Sequence, residues 1–488
     1  MSGFFNAAAD VIAWIFGNII LINIVFAILI VFFQRRDPQA VWTWLLVLTC
    51  LPVVGFILYI IIGQDFHKRN MFKTKEISDM VSATISRQQF YIKHHEFPVD
   101  DEKYSDLILF NLESSGAVFS YDNTVEIFDD GMKKMQCLCE ELKKAEHFIH
   151  IQYYIIRDDE AFAMIEPILH EKAECGVDVR ILYDDMGCRS TGSKIWDRLR
   201  QGKIKVATFF PAYLKRFQMR VNYRNHRKIV VIDNKIGFVG GFNLGREYIS
   251  LNEKIGYWQD LHLKISGTAV LDLEKRFILD WSYATKENLV AERRFSTLPS
   301  DISFNGNTKM QIIISGPDTK YQNIRNNYLI LINRAKKRIR IQSPYFVPDA
   351  SILSALKIAI LSGVEVEIIF PCKPDHLFVY WVTYSYIGEL VEIGAKCYTF
   401  DNGFIHGKYL TIDGEACCAG TANMDIRSFK LNFEANAIIY DSDVTARLEE
   451  SFARIKENST EITQYDYAQR GTKIKVKEQL CRLLSPLM

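Results

Sequence analysis

The chain has 488 residues, 49% of them hydrophobic, and its 59 basic and 58 acidic side chains leave a formal net charge of +1. That length exceeds what one hydrophobic core serves, so two or three domains are expected. The charge balance argues against a nucleic-acid binder, which is basic as a rule. Ten scattered cysteines with no zinc-type spacing argue against a disulfide scaffold and a metal site, and for a reducing compartment.

In chain order, residues 1–67 differ from everything after them. Val11 to Phe33 carries no charge, nor does Val41 to Ile62, and each is long enough to cross a hydrocarbon core of about 30 Å as a helix. A cleaved signal peptide fits poorly. No basic residue precedes the first run, no small-residue cleavage site follows it, and a second run comes straight after. The expectation is a transmembrane helical hairpin, with helices at about 11–33 and 41–62 and both ends on one side. Lys68, Arg69, Lys73 and Lys75 at its exit outnumber Arg35 and Arg36 in the turn, which places the soluble part on the cytoplasmic side of the cell membrane.

Residues 68–106 read as a polar connector, and alternating helix and strand patterns follow. Met132 to Ala145 has helical spacing, Phe148 to Ile156 reads as a buried strand, Ala161 to Cys175 as a helix and Gly176 to Tyr183 as a second strand. The order then returns: helix from Tyr328 to Lys337, strand from Ile339 to Phe346, helix from Ile352 to Leu361, strand from Gly363 to Phe370. Such alternation predicts an α/β fold with a mostly parallel sheet covered on both faces. The return of whole segments predicts a duplicated domain. A polar boundary from Ser296 to Thr308 separates a first half, 107–300, from a second half with a C-terminal tail, 301–488.

One motif is written in both halves. His226 is followed two places on by Lys228, seven on by Asp233, fourteen on by Gly240 and seventeen on by Asn243. From His406 the same steps give Lys408, Asp413, Gly420 and Asn423. Only ten histidines occur in the chain, so a repeated five-point register is not chance. Residues two apart on a strand share a face, so each His and Lys are expected side by side. That pair suits a phosphate: the lysine binds charge, and the histidine does nucleophile or proton work. Asp233 and Asp413, past an apolar run, are expected to anchor turns through hydrogen bonds to backbone.

These residues carry a resemblance. The two His-x-Lys-x4-Asp motifs with their Gly/Asn tails resemble the phospholipase D superfamily over about residues 105–460. More locally Tyr154, Asp184, Asp185, Asn225, Trp258, Asp260, His262, Asp425, Arg427, Ser428, Asn432, Glu434 and the closing Leu483 to Leu487 are similar to the two-span bacterial cardiolipin synthases. One position departs between halves, Gly241 standing where Thr421 stands, so the half-sites are not expected to be equivalent.

The resemblance implies two phospholipase D-like halves packed around one cleft. It implies catalysis by His226, Lys228, Asp233, His406, Lys408 and Asp413, the Asp pair being read here as anchors. It also implies phosphate contacts from Asn243 and Asn423, and orientation of the histidines by Asp260 and Glu434. By analogy His226 is the nucleophile and His406 the acid/base, although the sequence barely separates the two. His262 is expected either to join that network or to fill a strand face. The implied reaction transfers a phosphatidyl group from one phosphatidylglycerol to another through a phosphatidyl-histidine, giving cardiolipin and glycerol with no cofactor and no metal. Water or another alcohol as acceptor is the first alternative, and a nucleic-acid phosphodiesterase a more distant one. The implied partners are the bilayer and these lipids, not nucleic acid.

Three further stretches stay open. Tyr213 to Arg224 mixes basic and aromatic residues, fitting either an anionic bilayer surface or a solvated edge. Leu377 to Tyr386 is aromatic-dense and fits either a core helix or an acyl-chain contact. Lys473 to Met488 alternates lysines with apolar residues and either lies on the bilayer or closes the fold.

Overall fold

The computed structural model describes residues 17–33, 38–59, 84–92, 102–211, 223–289, 303–373 and 375–483, with Trp14, Glu292, Phe295 and Ser485. Its centre is two mixed sheets of matching design. The first uses β1 (Ser120–Asp130), β2 (Phe148–Tyr153), β3 (Asp178–Asp184), β4 (Lys205–Phe209), β6 (Ile229–Ile232), β7 (Ile236–Gly240) and β8 (Trp258–Ser266); the two-residue β5 (Arg224–Asn225) lies apart. Its order is β4-β3-β2-β6-β7-β8-β1.

The second sheet repeats this with β9 (Thr308–Ser315), β10 (Arg338–Gln342), β12 (Glu365–Pro371), β13 (Lys396–Phe400), β15 (Tyr409–Ile412), β16 (Ala416–Gly420) and β18 (Asn432–Ile439). The short β11 (Phe346–Val347) and β17 (Met424–Asp425) pair with each other, β14 (Phe404–Ile405) lies apart, and β19 (Ser459–Ile462) edges β13. Its order is β13-β12-β10-β15-β16-β18-β9. β1 pairs with β9 at Ser120–Met310 and Asn123–Thr308, joining the sheets.

The strands expected from FIHIQY and its repeat are present, the first fully buried and the second buried at Ile339, Ile341 and Gln342, and two of the helices beside them start on aspartate caps. Asp130 accepts from the amide of Lys133, and Asp349 from those of Ser351 and Ile352, each satisfying donors that a helix start leaves orphaned. The expected mostly parallel sheet is corrected. Among the described residues, the seven strands of each sheet run parallel only at β2, β3 and β4, and likewise at β10, β12 and β13, and the motif strands enter antiparallel. After the βα units each half returns by hairpins, and apolar runs alone do not distinguish these from crossovers.

The hairpin turns explain the motif's aspartates. Asp233 and Asn234 both have positive φ (54° and 55°), as do Asp413 and Gly414 (55° and 74°). Two such residues between strands make the tight turn whose twist matches a hairpin. Asp233 also accepts from the amides of Glu146, His147 and Phe148 at 2.7–2.9 Å. Asp413 holds those of Lys336, Lys337 and Arg338 in the same way. Each carboxylate thus ties the turn to the start of the neighbouring strand. Asp233→Ala leaves three amides without this acceptor and is expected to cost about 3 kcal/mol. Denaturant titration checks the loss, and activity per folded molecule should change by only a few-fold.

The helix Ser105–Ser115 packs away from the sheet it precedes. Leu107, Ile108 and Leu112 share a core with Ile324, Tyr328 and Leu331. At the N-terminus, helices Ile19–Phe33, Pro38–Cys50 and Pro52–Leu58 lie against one another. The run expected to be continuous over 41–62 breaks at Leu51, because Pro52 has no N–H and its ring crowds the carbonyl four residues back. The Nδ2 of Asn23 donates to that carbonyl, of Leu48, at 3.1 Å and to that of Pro52 at 3.0 Å. No helix among the described residues is long and apolar enough to cross a membrane. The helix Ile19–Phe33 has 15 residues, and the expected span from 11 begins outside the described residues, as do Arg35, Arg36, Lys68, Arg69, Lys73 and Lys75.

Candidate active site

The motif histidines lie just past the ends of two very short strands rather than within long ones. Each short strand is borrowed by the other sheet. β5, ending at Asn225, pairs parallel with Asn432–Phe433 of β18, and β14, ending at Ile405, pairs with Trp258–Gln259 of β8. The backbone N–H of His226 donates to the carbonyl of Phe433 at 3.0 Å, and that of His406 to Gln259 at 2.6 Å. Each histidine is therefore delivered beside the strand that follows the opposite motif.

That crossing sets the electrostatics. His226 Nδ1 lies 3.0 Å from both carboxylate oxygens of Glu434, and His406 Nδ1 lies 2.6 Å from Oδ2 of Asp260. Both carboxylates are fully buried. A carboxylate at Nδ1 fixes the hydrogen there and leaves Nε2 with its lone pair. Burial lowers the pKa of His226 to about 4, with Lys228 contributing, against the pull of Glu434. Burial and Lys408 lower His406 to about 4. Burial pushes the carboxyls up, but His226 and Lys228 hold Glu434, and His406 and Lys408 hold Asp260, below their ordinary values. Both shifts favour the neutral imidazole at pH 7.

The lysines fold back on their own motifs. Lys228 Nζ donates to the carbonyl of His226 at 2.8 Å, and Lys408 Nζ to that of His406. Side-by-side placement thus arises in an irregular segment and not from a strand's alternation. Both ammonium groups are inaccessible to solvent, and burial lowers them to about 7 and about 8. An anionic phosphate beside them would raise both and favour the charged form.

The difference between Gly241 and Thr421 has a steric cause. A Cβ at Gly241 would fall 1.9 Å from Asp260 Oδ1, so glycine makes room for the shorter acid. Thr421 instead donates its hydroxyl to Glu434 and accepts from the amide of Ala435. Its hydroxyl orients the carboxylate behind His226.

Both histidines, Asn243 and Asn423 line one cavity of about 350 Å³ with Tyr154, Trp258 and Arg427. Tyr154 and Trp258 each place a ring 5.0 Å from His226 and His406 respectively. Asn243 Oδ1 accepts from the amide of Ile155 at 3.1 Å, and Asn423 Nδ2 donates to Asp425 at 3.1 Å. Asp233 and Asp413 are not among the cavity's lining residues. His262 does not join the His–carboxylate pairs. It is buried between Phe238 and Phe242 with neither ring nitrogen hydrogen-bonded among the described residues, and burial, Lys134 and Lys228 hold it well below its ordinary pKa. Asp184 accepts from the amides of Met186, Gly187 and Asn225, fixing the loop that carries the first motif.

Sequence reasoning missed Arg224 and Arg427 as site residues, and Tyr345, Asp375 and His376 altogether, though all five line the cavity. A reading built on what occurs twice does not find residues that occur once, and His376 has no counterpart. Arg227 was also passed over. Fully buried, it donates to Asp280 at 2.7 Å and to the carbonyls of Glu434 and Ser315 at 3.2 Å, clamping the first motif onto the second sheet. Of the stretch from Tyr213, residues 213–222 lie outside the described residues. The aromatic stretch Leu377 to Tyr386 splits its roles: Val382 and Tyr386 are core, while Val379 lines the cavity.

Comparison with known proteins bears on this geometry. Residues 138–281 and 328–456 match the family described as cardiolipin synthase, phospholipase D-like domain, and residues 21–64 match the phospholipase D-nuclease N-terminal family. The cardiolipin synthase of Listeria welshimeri is 44% identical over 483 residues, covering 98% of this chain and 99% of that one. The major cardiolipin synthase ClsA of Bacillus subtilis is 43% identical, covering 96% and 98%. Among solved structures, the phosphatidylserine synthase of Haemophilus influenzae shares the fold at a TM-score of 0.58 and 16% identity, covering 75% of this chain and 95% of that one. Two sheets of one design, crossed His–carboxylate pairs and full-length similarity agree: this chain belongs to the cardiolipin synthase family of phospholipase D-like proteins.

Proposed function

We propose that the protein is a phosphatidyltransferase that joins two phosphatidylglycerols into cardiolipin and releases glycerol. The observation that carries this reading is the pair of imidazoles lining one cavity, each held at Nδ1 by a buried carboxylate. The halves 107–300 and 301–488 are read as the duplicated units that supply one histidine each. In the first step Nε2 of His226 attacks phosphorus, the bond to the glycerol oxygen breaks, and His406, protonated when the phosphate binds, gives that oxygen its proton. In the second, a hydroxyl of another phosphatidylglycerol returns a proton to His406. Its oxygen attacks phosphorus, the P–N bond breaks and His226 is free again. Lys228, Lys408, Asn243 and Asn423 hold the phosphoryl oxygens while charge redistributes. Asp260 and Glu434 keep the two rings in place.

The N-terminal helices are read as a membrane hairpin that keeps this site at the lipid surface, with the catalytic halves on the cytoplasmic side. Outward-facing Ile20, Leu21, Ile24, Val54 and Ile57 support it. So does the Asn23 bond to the carbonyl that Pro52 would otherwise leave unpaired, since unpaired backbone groups are costly in hydrocarbon. Expression in cells lacking their own cardiolipin synthesis, followed by mass analysis of a lipid extract, tests the product. Cardiolipin is expected. Phosphatidic acid as the main new lipid would mean that water is the acceptor.

A further inference from the structure

The helix Thr472–Leu483 carries a buried charge on its inner face, beside Cys481 packed on the core, and an exposed apolar stripe on its outer one. Its charged Glu478 is fully buried, bonded by Arg470 at 3.0 Å and by the hydroxyl of Tyr467 at 3.3 Å. Arg482 turns inward as well, donating to Glu389 and lying 4.5 Å from the ring centre of Tyr386. Val476, Leu480 and Leu483, spaced to form one stripe, face outward and are 51%, 61% and 53% exposed. A helix that docks only on its own protein buries the apolar stripe and exposes the charges. Here the buried charges are paired, so the orientation is fixed by specific contacts.

Three features choose the occupant of that stripe. Lys473, Lys475 and Lys477 flank it, which is the pattern of a helix lying in an anionic bilayer surface. Its C-terminal end is continuous with the N-terminal apolar helices: Arg482 and Leu483 share a cleft of about 860 Å³ with Trp42 and Thr43, and Trp42 is also outward-facing. Its inner face packs on the helix Leu377–Val391, whose first turn reaches the active-site cavity through Val379, next to His376. We infer that Thr472–Leu483 is a second membrane contact, an interfacial helix lying on anionic lipid that holds the cavity mouth against the bilayer. The inference rests on the membrane reading given above for the N-terminal helices.

The test reads position and not turnover, so it stands whether or not the proposed reaction does. Leu480→Trp in the full chain, reconstituted into phosphatidylglycerol-containing vesicles, adds an indole at an exposed site. Val476→Trp serves if the first variant folds poorly. If the helix lies in the interface, lipids brominated in the acyl chains should quench about half or more of the added emission. Quenching should weaken when phosphatidylglycerol is replaced by zwitterionic lipid. Quenching no greater than in the unsubstituted protein overturns the inference. So does blue-shifted emission that is the same in detergent and in vesicles, which would mean that a second copy of the chain covers the stripe. A chain that quenches as expected but makes no cardiolipin would keep this contact and lose the proposed reaction.

Discussion

His406→Ala is expected to lower turnover of phosphatidylglycerol by roughly 10²–10⁴-fold, the usual worth of a positioned general acid, and to recover much of it on a substrate with an activated leaving group. His226→Ala is expected to lose roughly 10⁴-fold or more on both substrates. The reason for the difference is chemical. An acid is needed only when the leaving oxygen is too basic to depart unaided, whereas a nucleophile is needed whatever leaves. The two rings have similar burial, similar partners and similarly lowered pKa values, so leaving-group dependence separates roles that structure alone does not. Rescue of His226→Ala in place of His406→Ala would reverse the assignment.

Glu434→Gln and Asp260→Asn are expected to cost roughly 10²–10⁴-fold in kcat with little change in KM, as the loss of a tautomer-fixing carboxylate does. Because the pairing crosses, each variant should inherit the phenotype of the histidine it touches. Asp260→Asn should be partly rescued by the activated leaving group, as His406→Ala is, and Glu434→Gln should not. Asp260 lies in the first half with His226, so a carboxylate acting on its own half's motif would give the opposite pattern. The pH profile adds a second readout. Each carboxylate favours the protonated form of the ring it holds, so its loss should shift the limb due to that histidine to lower pH.

Much of this site was legible because it is written twice. The repeated register from His226 and from His406 exposed both motifs, and Asp260 and Glu434 came from the family resemblance. What the sequence did not carry was the crossing, since nothing local shows that β5 is borrowed by β18 and β14 by β8. The parallel-sheet expectation failed at the hairpins, where Asp233-Asn234 and Asp413-Gly414 are turn signals embedded in apolar surroundings. Residues present once, such as Arg427 and His376, were invisible to reasoning from symmetry. Pro52 was a readable breaker in the second apolar run, and composition alone passed over it.

The proposed reaction runs through a covalent phosphatidyl-enzyme whose acceptor is an alcohol. Incubating purified protein with labelled glycerol and unlabelled phosphatidylglycerol tests it most directly, because an intermediate that accepts a lipid hydroxyl must also accept glycerol in reverse of its formation. Label is expected to enter phosphatidylglycerol in step with cardiolipin formation, to vanish in His226→Ala, and to be accompanied by little phosphatidic acid. Cardiolipin formation without any exchange of label, or phosphatidic acid as the main product, would contradict it.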